Sequence, residues 1–200
     1  MSRPLLLPIV HRVNTVAHLR RIPPAWGVEV DLRDSGRHLV LNHEPLKGGE
    51  RLEEYLRQFR HRFIILNIKS EGIEQAVIRA VQRRRIRHYC LLDVTIPKLV
   101  ALGRQGVQHL AARYSEFESL ESCLALARWT EWVWIDCFTK IPLTPVIARR
   151  LRTTFKLCLC SPELEGHPRA AVLRMKRQVQ GLPLDAVCTD HPALWMGTRC

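Results

Sequence analysis

The feature that most constrains this 200-residue chain is a regular alternation of short apolar, β-rich runs with amphipathic, helix-like segments from one end to the other. The strand candidates are 5–11, 27–32, 63–69, 88–94, 108–114, 132–138, 155–161 and 184–190. Helix candidates lie between them at 13–22, 49–60, 71–85, 96–106, 117–128, 142–152 and 168–180, with 39–41 as an extra strand or extended loop in the second unit. Eight strands alternating with helices predict a parallel α/β architecture, because a parallel neighbour is reached only through a crossover, usually a helix. The count favours a compact (β/α)8 barrel over a doubly wound open sheet. No linker or low-complexity break interrupts the pattern, so residues 1–200 read as one barrel domain.

Local chemistry sharpens several boundaries. Ser70, Thr95 and Ser115 are candidate helix caps, because a hydroxyl can accept from the free N–H groups of a first turn. Pro142 and Pro168 stand where proline is tolerated, and Gly106 and Gly181 stand where helices stop. Arg83-Arg84-Arg85 ends a helix candidate, where cations suit the macrodipole.

Composition limits the function classes. Net charge is +12, which favours anionic ligands or surfaces without specifying a fold. No recognised nucleic-acid module accompanies the arginines, so nucleic acid is not the expected partner. Seven cysteines without a C-x-x-C pair signal neither a disulfide framework nor zinc, and several sit inside apolar runs as small hydrophobes. A reducing, cytoplasmic setting fits them. No run approaches the roughly 18–20 apolar residues of a membrane span, which leaves peripheral contact with an anionic membrane as the only membrane role considered.

Polar residues recur at the C-terminal ends of the strand candidates, where barrels carry their chemistry. The first ends in His11-Arg12. The second, Gly27-Val28-Glu29-Val30-Asp31-Leu32, puts two carboxylates on one face and its apolar residues on the other. Buried carboxylates without a partner are costly, so this pair calls for a cation. His43-Glu44 follows, then Asn67-Ile68-Lys69 with Asn67 and Lys69 on one face. Trp132, Trp134 and Asp136 share a face of the sixth strand, and Cys188-Thr189-Asp190-His191-Pro192 closes the eighth. Asp136 and Asp190 read individually as turn or helix caps, and the tryptophans as barrel filling.

Taken in order, His11-Arg12, Glu29-x-Asp31, His43-Glu44, Asn67-Ile68-Lys69 and Thr189-Asp190-His191-Pro192 resemble the glycerophosphodiester phosphodiesterases of the phospholipase-C-like superfamily. The resemblance spans nearly the whole chain. It implies a (β/α) barrel that cleaves a phosphodiester with the aid of a divalent metal, Mg²⁺ or Ca²⁺. It implies Glu29, Asp31 and Asn67 as metal ligands, Arg12, Lys69 and Trp134 as substrate-binding residues, and His11 and His43 as the acid–base pair. The implied partner is a small-molecule phosphodiester; the oligomeric state is not readable. The chain departs from the family pattern in a shortened first loop, His11-Arg12-Val13-Asn14-Thr15, and in Asn67, which stands where the family carries glutamate. A barrel that binds phosphate esters without catalysis is the alternative.

Overall fold

The computed structural model describes residues 6–196, and its strands and helices alternate as the sequence predicts. In chain order the elements are β1 (Leu7–Val10), α1 (Val16–Leu19), β2 (Gly27–Ser35), β3 (His38–Leu41), β4 (Glu50–Arg51), α2 (Leu52–Gln58) and β5 (Phe63–Ile68). Next come α3 (Glu74–Arg83), β6 (Tyr89–Leu92), α4 (Ile96–Arg104), β7 (Ala111–Tyr114), α5 (Leu120–Ala125) and β8 (Trp132–Ile135). The chain continues through α6 (Pro145–Arg152), β9 (Lys156–Cys160), a 3-10 turn (Pro162–Glu165), α7 (Ala170–Gln178), β10 (Ala186–Thr189) and α8 (Pro192–Met196).

Eight of these strands form a curled parallel sheet of the TIM-barrel kind. Continuous ladders join β6–β5–β2–β1–β10–β9–β8–β7. The remaining junction is not laddered: among the described residues β6 and β7 meet through a single bridge, Leu91 to Leu110. The expectation of a closed barrel is thus corrected to a curled sheet with a seam. β3 and β4 add an antiparallel flap to the upper part of β2, reached through the Ser35-Gly36 turn with Gly36 at φ 60°. The extra strand expected at 39–41 is therefore the return arm of a hairpin.

Side-chain parity builds two cores from one sheet. Val28, Val30 and Leu32 point outward with Ile64, Leu66, Leu157 and Leu159 to meet the helices. The alternate residues point inward and form a second cluster that includes Ile9, Phe63, Ile65, Cys90, Trp132, Trp134, Cys158 and Cys188. Phe63 and Trp132 tilt against each other at 4.8 Å between centroids, and small Cys and Ala residues fill the space the rings leave. Burial pushes the thiols of Cys90, Cys158, Cys160 and Cys188 up, so they remain protonated and serve as compact apolar groups. Among the described residues no helix is long and apolar enough to cross a membrane.

Three caps differ from expectation. α3 starts at Glu74 rather than after Ser70, and its first-turn boundary, Ile73, supplies no side-chain bond. Thr95 occupies the N-cap position of α4, but its hydroxyl donates to Glu71 Oε1 instead of capping. α5 begins four residues after the position Ser115 would need, capped by Ser119; Ser115 Oγ instead accepts from the Phe117 and Glu118 N–H groups in the preceding turn. For Thr95 and Ser115 a nearby tertiary or turn partner outcompetes the helix for the hydroxyl.

Gly27 opens β2 at the inner wall. A Cβ there would lie 2.9 Å from Ile9 Cγ1 and 3.3 Å from the Phe63 carbonyl oxygen. Gly27→Ala is expected to lower unfolding stability by about 1–3 kcal/mol through overpacking, measured by urea denaturation.

Candidate active site

The inward parity of each strand continues past the apolar cluster into a polar layer at the C-terminal ends. Glu29 and Asp31 lie one step above Gly27 on β2; Asn67 and Lys69 continue the Phe63–Ile65 face, and Asp136 continues the Trp132–Trp134 face. These groups line a cavity of about 130 Å³, together with His11, Arg12, Asp93 and Arg113. Larger cavities exist, including one of about 470 Å³ lined by Leu6, Leu173 and Trp195, but the small one gathers the polar residues of the strand ends.

Glu29 and Asp31 are each 1% exposed. The chain between β1 and α1 folds over them. Arg12 adopts φ 49°, a left-handed conformation rare for a residue with a side chain, and its N–H donates to Glu29 Oε2 at 2.8 Å. The Val13 N–H donates to the Glu29 carbonyl. Asn14 clamps the neighbouring position twice: its Nδ2 donates to Asp31 Oδ2 and its Oδ1 accepts the Asp31 N–H, both at 2.9 Å. Asn67 Nδ2 donates to Glu29 Oε1 at 2.9 Å.

This network leaves two buried oxygens without hydrogen-bond partners, Asp31 Oδ1 and Asn67 Oδ1. The cations near Asp31 stand off, Arg12 Nε at 3.7 Å from Oδ2 and Lys69 Nζ at 4.0 Å from Oδ1. Lys69 is held instead by Asp93 at 2.9 Å. Burial pushes the Glu29 carboxyl above its ordinary range, and the Asp31 carboxylate pushes it further; His11, the Arg12 N–H and Asn67 oppose this only in part. Two adjacent buried acids therefore carry a deficit of positive charge.

His11 sits at the rim, with its Nδ1 3.0 Å from Asp190 Oδ1. The hydrogen bond from His11 holds the Asp190 carboxyl below its ordinary range, so Asp190 is the accepting carboxylate and Nδ1 carries the proton. Asp190 is in turn placed by Glu163, which accepts from the Asp190 N–H at 3.1 Å and from the Thr189 hydroxyl. The reading of Asp190 as a turn cap is thus replaced by a partnership with His11, which is 179 residues away in sequence.

The opposite wall carries a further charge network, joined to the first through the Lys69–Asp93 pair. Arg113 pairs with Asp93, with Asp136 at 2.5 Å and with Glu118 at 3.6 Å. Asp136 also accepts from Trp134 Nε1 at 2.6 Å, so Trp134 supports the wall from below as a buried residue. Ligand atoms of Asp136, Cys160 and Glu165 lie within 4.8 Å of one another, but Arg113 already supplies the cation there and the Cys160 thiol donates to Glu165. Arg113 and Asp93 escape a reading based on strand-end motifs. The available signal was parity, since Arg113 follows the inward Ala111 by two.

His43 is not brought into the cavity. Its Nδ1 lies 3.0 Å from Glu44 Oε1 on the loop between β3 and β4. Its backbone is nevertheless tied to the site: Arg33 donates from Nε to the His43 carbonyl at 2.9 Å and from Nη1 to the Lys69 carbonyl at 2.6 Å.

No family model and no curated protein matches the chain in sequence. Solved structures do match it in fold. A glycerophosphoryl diester phosphodiesterase from Parabacteroides distasonis superposes with TM-score 0.70 at 11% identity, over 98% of this chain and 86% of that one. The glycerophosphodiester phosphodiesterase from Agrobacterium tumefaciens gives 0.72 at 14% identity, over 96% and 100%. That from Thermotoga maritima gives 0.69 at 16% identity, over 97% and 98%. The chain therefore has the fold of the glycerophosphodiester phosphodiesterases, the group its motif order resembles.

Burial raises the Asp136 carboxyl to about 6 from 3.8, with Arg113 and Trp134 opposing the rise. A raised acid favours the folded state while protonated, and that contribution is lost as pH rises through the folded value. Wild type should therefore lose stability relative to Asp136→Asn between pH 3.8 and about 6, measured by urea denaturation across that window.

Proposed function

We propose that this protein is a metal-dependent phosphodiester hydrolase that cleaves a glycerophosphodiester or a related diester to an alcohol and a phosphomonoester. The observation that carries the reading is the pair of unpartnered buried oxygens, Asp31 Oδ1 and Asn67 Oδ1, beside Glu29 in a cavity that also holds His11, Arg12 and Lys69. Hard oxygen donors of this kind suit Mg²⁺ or Ca²⁺. Glu29, Asp31 and Asn67 would hold the ion, and Asn67 already presents its oxygen because its Nδ2 is engaged by Glu29. Bound there, a divalent cation polarises a phosphoryl oxygen and offsets developing charge. The amide removes one negative charge relative to the family pattern, so affinity for free metal is expected to be weak.

The chain's own groups supply the rest. Arg12 is about half exposed and only loosely paired, which leaves its fork of donors for phosphate oxygens. Lys69 adds a point charge from the other side of Asp31. With Nδ1–H donated to Asp190, His11 keeps Nε2 as the nitrogen that takes or returns a proton at the attacking or leaving oxygen. His43 enters as the second acid–base group through the family resemblance. The reading takes a small phosphodiester, not nucleic acid, as partner, and a cytoplasmic location on the strength of the unpaired cysteines.

Two observations favour a second reading, a phosphate-ester-binding barrel without catalysis: Asn67 occupies a carboxylate position, and His43 lies outside the cavity lining. The readings separate in one assay. A panel of phosphodiesters with Mg²⁺, Ca²⁺ or chelator should show metal-dependent turnover by wild type, lowered roughly 10²–10⁴-fold in His11→Ala. Asp190→Asn, which leaves Nδ1 without its carboxylate, should lower it by roughly tenfold or more. Metal-independent binding of a diester with no turnover would establish the binding barrel instead. Asn67→Glu should tighten Mg²⁺ or Ca²⁺ binding in calorimetry; unchanged affinity would remove Asn67 from the ligand set.

A further inference from the structure

The basic residues of this chain are not spread evenly over the barrel. Because the sheet is parallel, its strands all start at one end, and the helices, running back, finish there too. At that end the connections entering β2, β5 and β6 lie side by side, since the three strands ladder together. They carry Arg21 ahead of β2, Arg60 and Arg62 ahead of β5, and Arg84, Arg85 and Arg87 ahead of β6, all exposed. The last turns of α3, α4, α6 and α7 add further basic residues to the same end. Acids are scarce there. Between the helices and the strands that follow them only Glu131 and Asp185 occur, and both are engaged, Glu131 by His109 and Lys156 and Asp185 by Arg152.

Helix ends attract cations, which accounts for the last-turn residues, and Arg60 donates to the Arg57 and Phe59 carbonyls at the end of α2. Arg62 and Arg87 lie beyond the helices and serve no such end. Arg83 takes Glu53, and among the described residues none of the six arginines named above forms an ion pair. The acids of the catalytic end do not screen them. β5 has six residues and spans about 20 Å, roughly twice the Debye length of about 8–10 Å at physiological salt. A surface of unpaired arginines attracts polyanions, and its shape selects among them. A nucleic-acid duplex is a rod that follows a stripe or groove of cations, whereas these arginines cross three neighbouring connections and continue around the helix ends. A planar anionic surface meets all of them at once. We propose that this base of the barrel docks on an anionic phospholipid bilayer, with the polar cavity at the opposite end facing water. Such docking requires no turnover and is independent of the hydrolase reading.

The test is co-sedimentation of the full chain with vesicles of phosphatidylcholine, alone or mixed with phosphatidylglycerol, at low and at physiological ionic strength. Wild type should bind the mixed vesicles and not the zwitterionic ones, and added salt should weaken the binding. Each basic residue near such a surface contributes about fivefold in affinity, so Arg62→Gln, Arg84→Gln and Arg87→Gln together should lower it roughly 100-fold, and Arg87→Gln alone about fivefold. A matched triple variant at the catalytic end, Arg37→Gln, Lys47→Gln and Lys140→Gln, removes the same charge from exposed positions. It should bind nearly as wild type does. Absence of binding to the mixed vesicles, or equal losses in the two triple variants, would overturn the proposal. A short DNA duplex that strips the protein from the vesicles at equal phosphate concentration would also overturn it, in favour of nucleic acid.

Discussion

The burial of two carboxylates side by side on the inner face of β2 is the constraint around which the site is arranged. Glu29 and Asp31 cannot reach water, and they cannot both be neutralised by the hydrogen bonds they receive. The surrounding chain behaves accordingly. Arg12 takes up a left-handed backbone to deliver an N–H, Asn14 spends its whole amide on Asp31, and Asn67 donates to Glu29. These neutral donors soften the charge without cancelling it. The two oxygens without hydrogen-bond partners are what remains, and the proposed function assigns a divalent cation to them.

The wall facing this acidic pair is different in kind. Arg113 pairs with Asp93, Asp136 and Glu118, and Trp134 donates to Asp136 from beneath. On one side of the cavity the acids share a directly paired arginine, and on the other two buried oxygens have no hydrogen-bond partner. A ligand brought by Arg12 and Lys69 would meet the unfinished side, where His11 also stands. The Asp93–Arg113 ion pair stands between that side and an apolar cavity at the seam. The same seam that keeps the sheet from forming a full set of ladders thus places an apolar space next to the polar one.

Much of this was legible in the residues because strand parity is a local rule. Val28, Val30 and Leu32 against Glu29 and Asp31 announces which side of β2 faces which core, and the eight alternating units announce the parallel sheet. The pairings that complete the site were not legible. His11 finds Asp190 only when β1 and β10 lie side by side, and Arg113 finds Asp93 only across the seam. Thr95 and Ser115 show the opposite failure: a sound local rule lost to a distant carboxylate in one case and to a tight turn in the other. His43 matched a motif, yet Arg33 ties its backbone to Lys69 while its ring turns to Glu44.

The central proposal is that the buried pair on β2 holds a divalent cation. Thermal unfolding of wild type and Asp31→Asn, each with chelator and with Mg²⁺ or Ca²⁺, tests it most directly. The account predicts that the cation raises the wild-type Tm in a concentration-dependent way, as any ligand bound only by the folded state must. In Asp31→Asn that response should be lost. A wild-type Tm indifferent to divalent cations, or a response undiminished in Asp31→Asn, would contradict it.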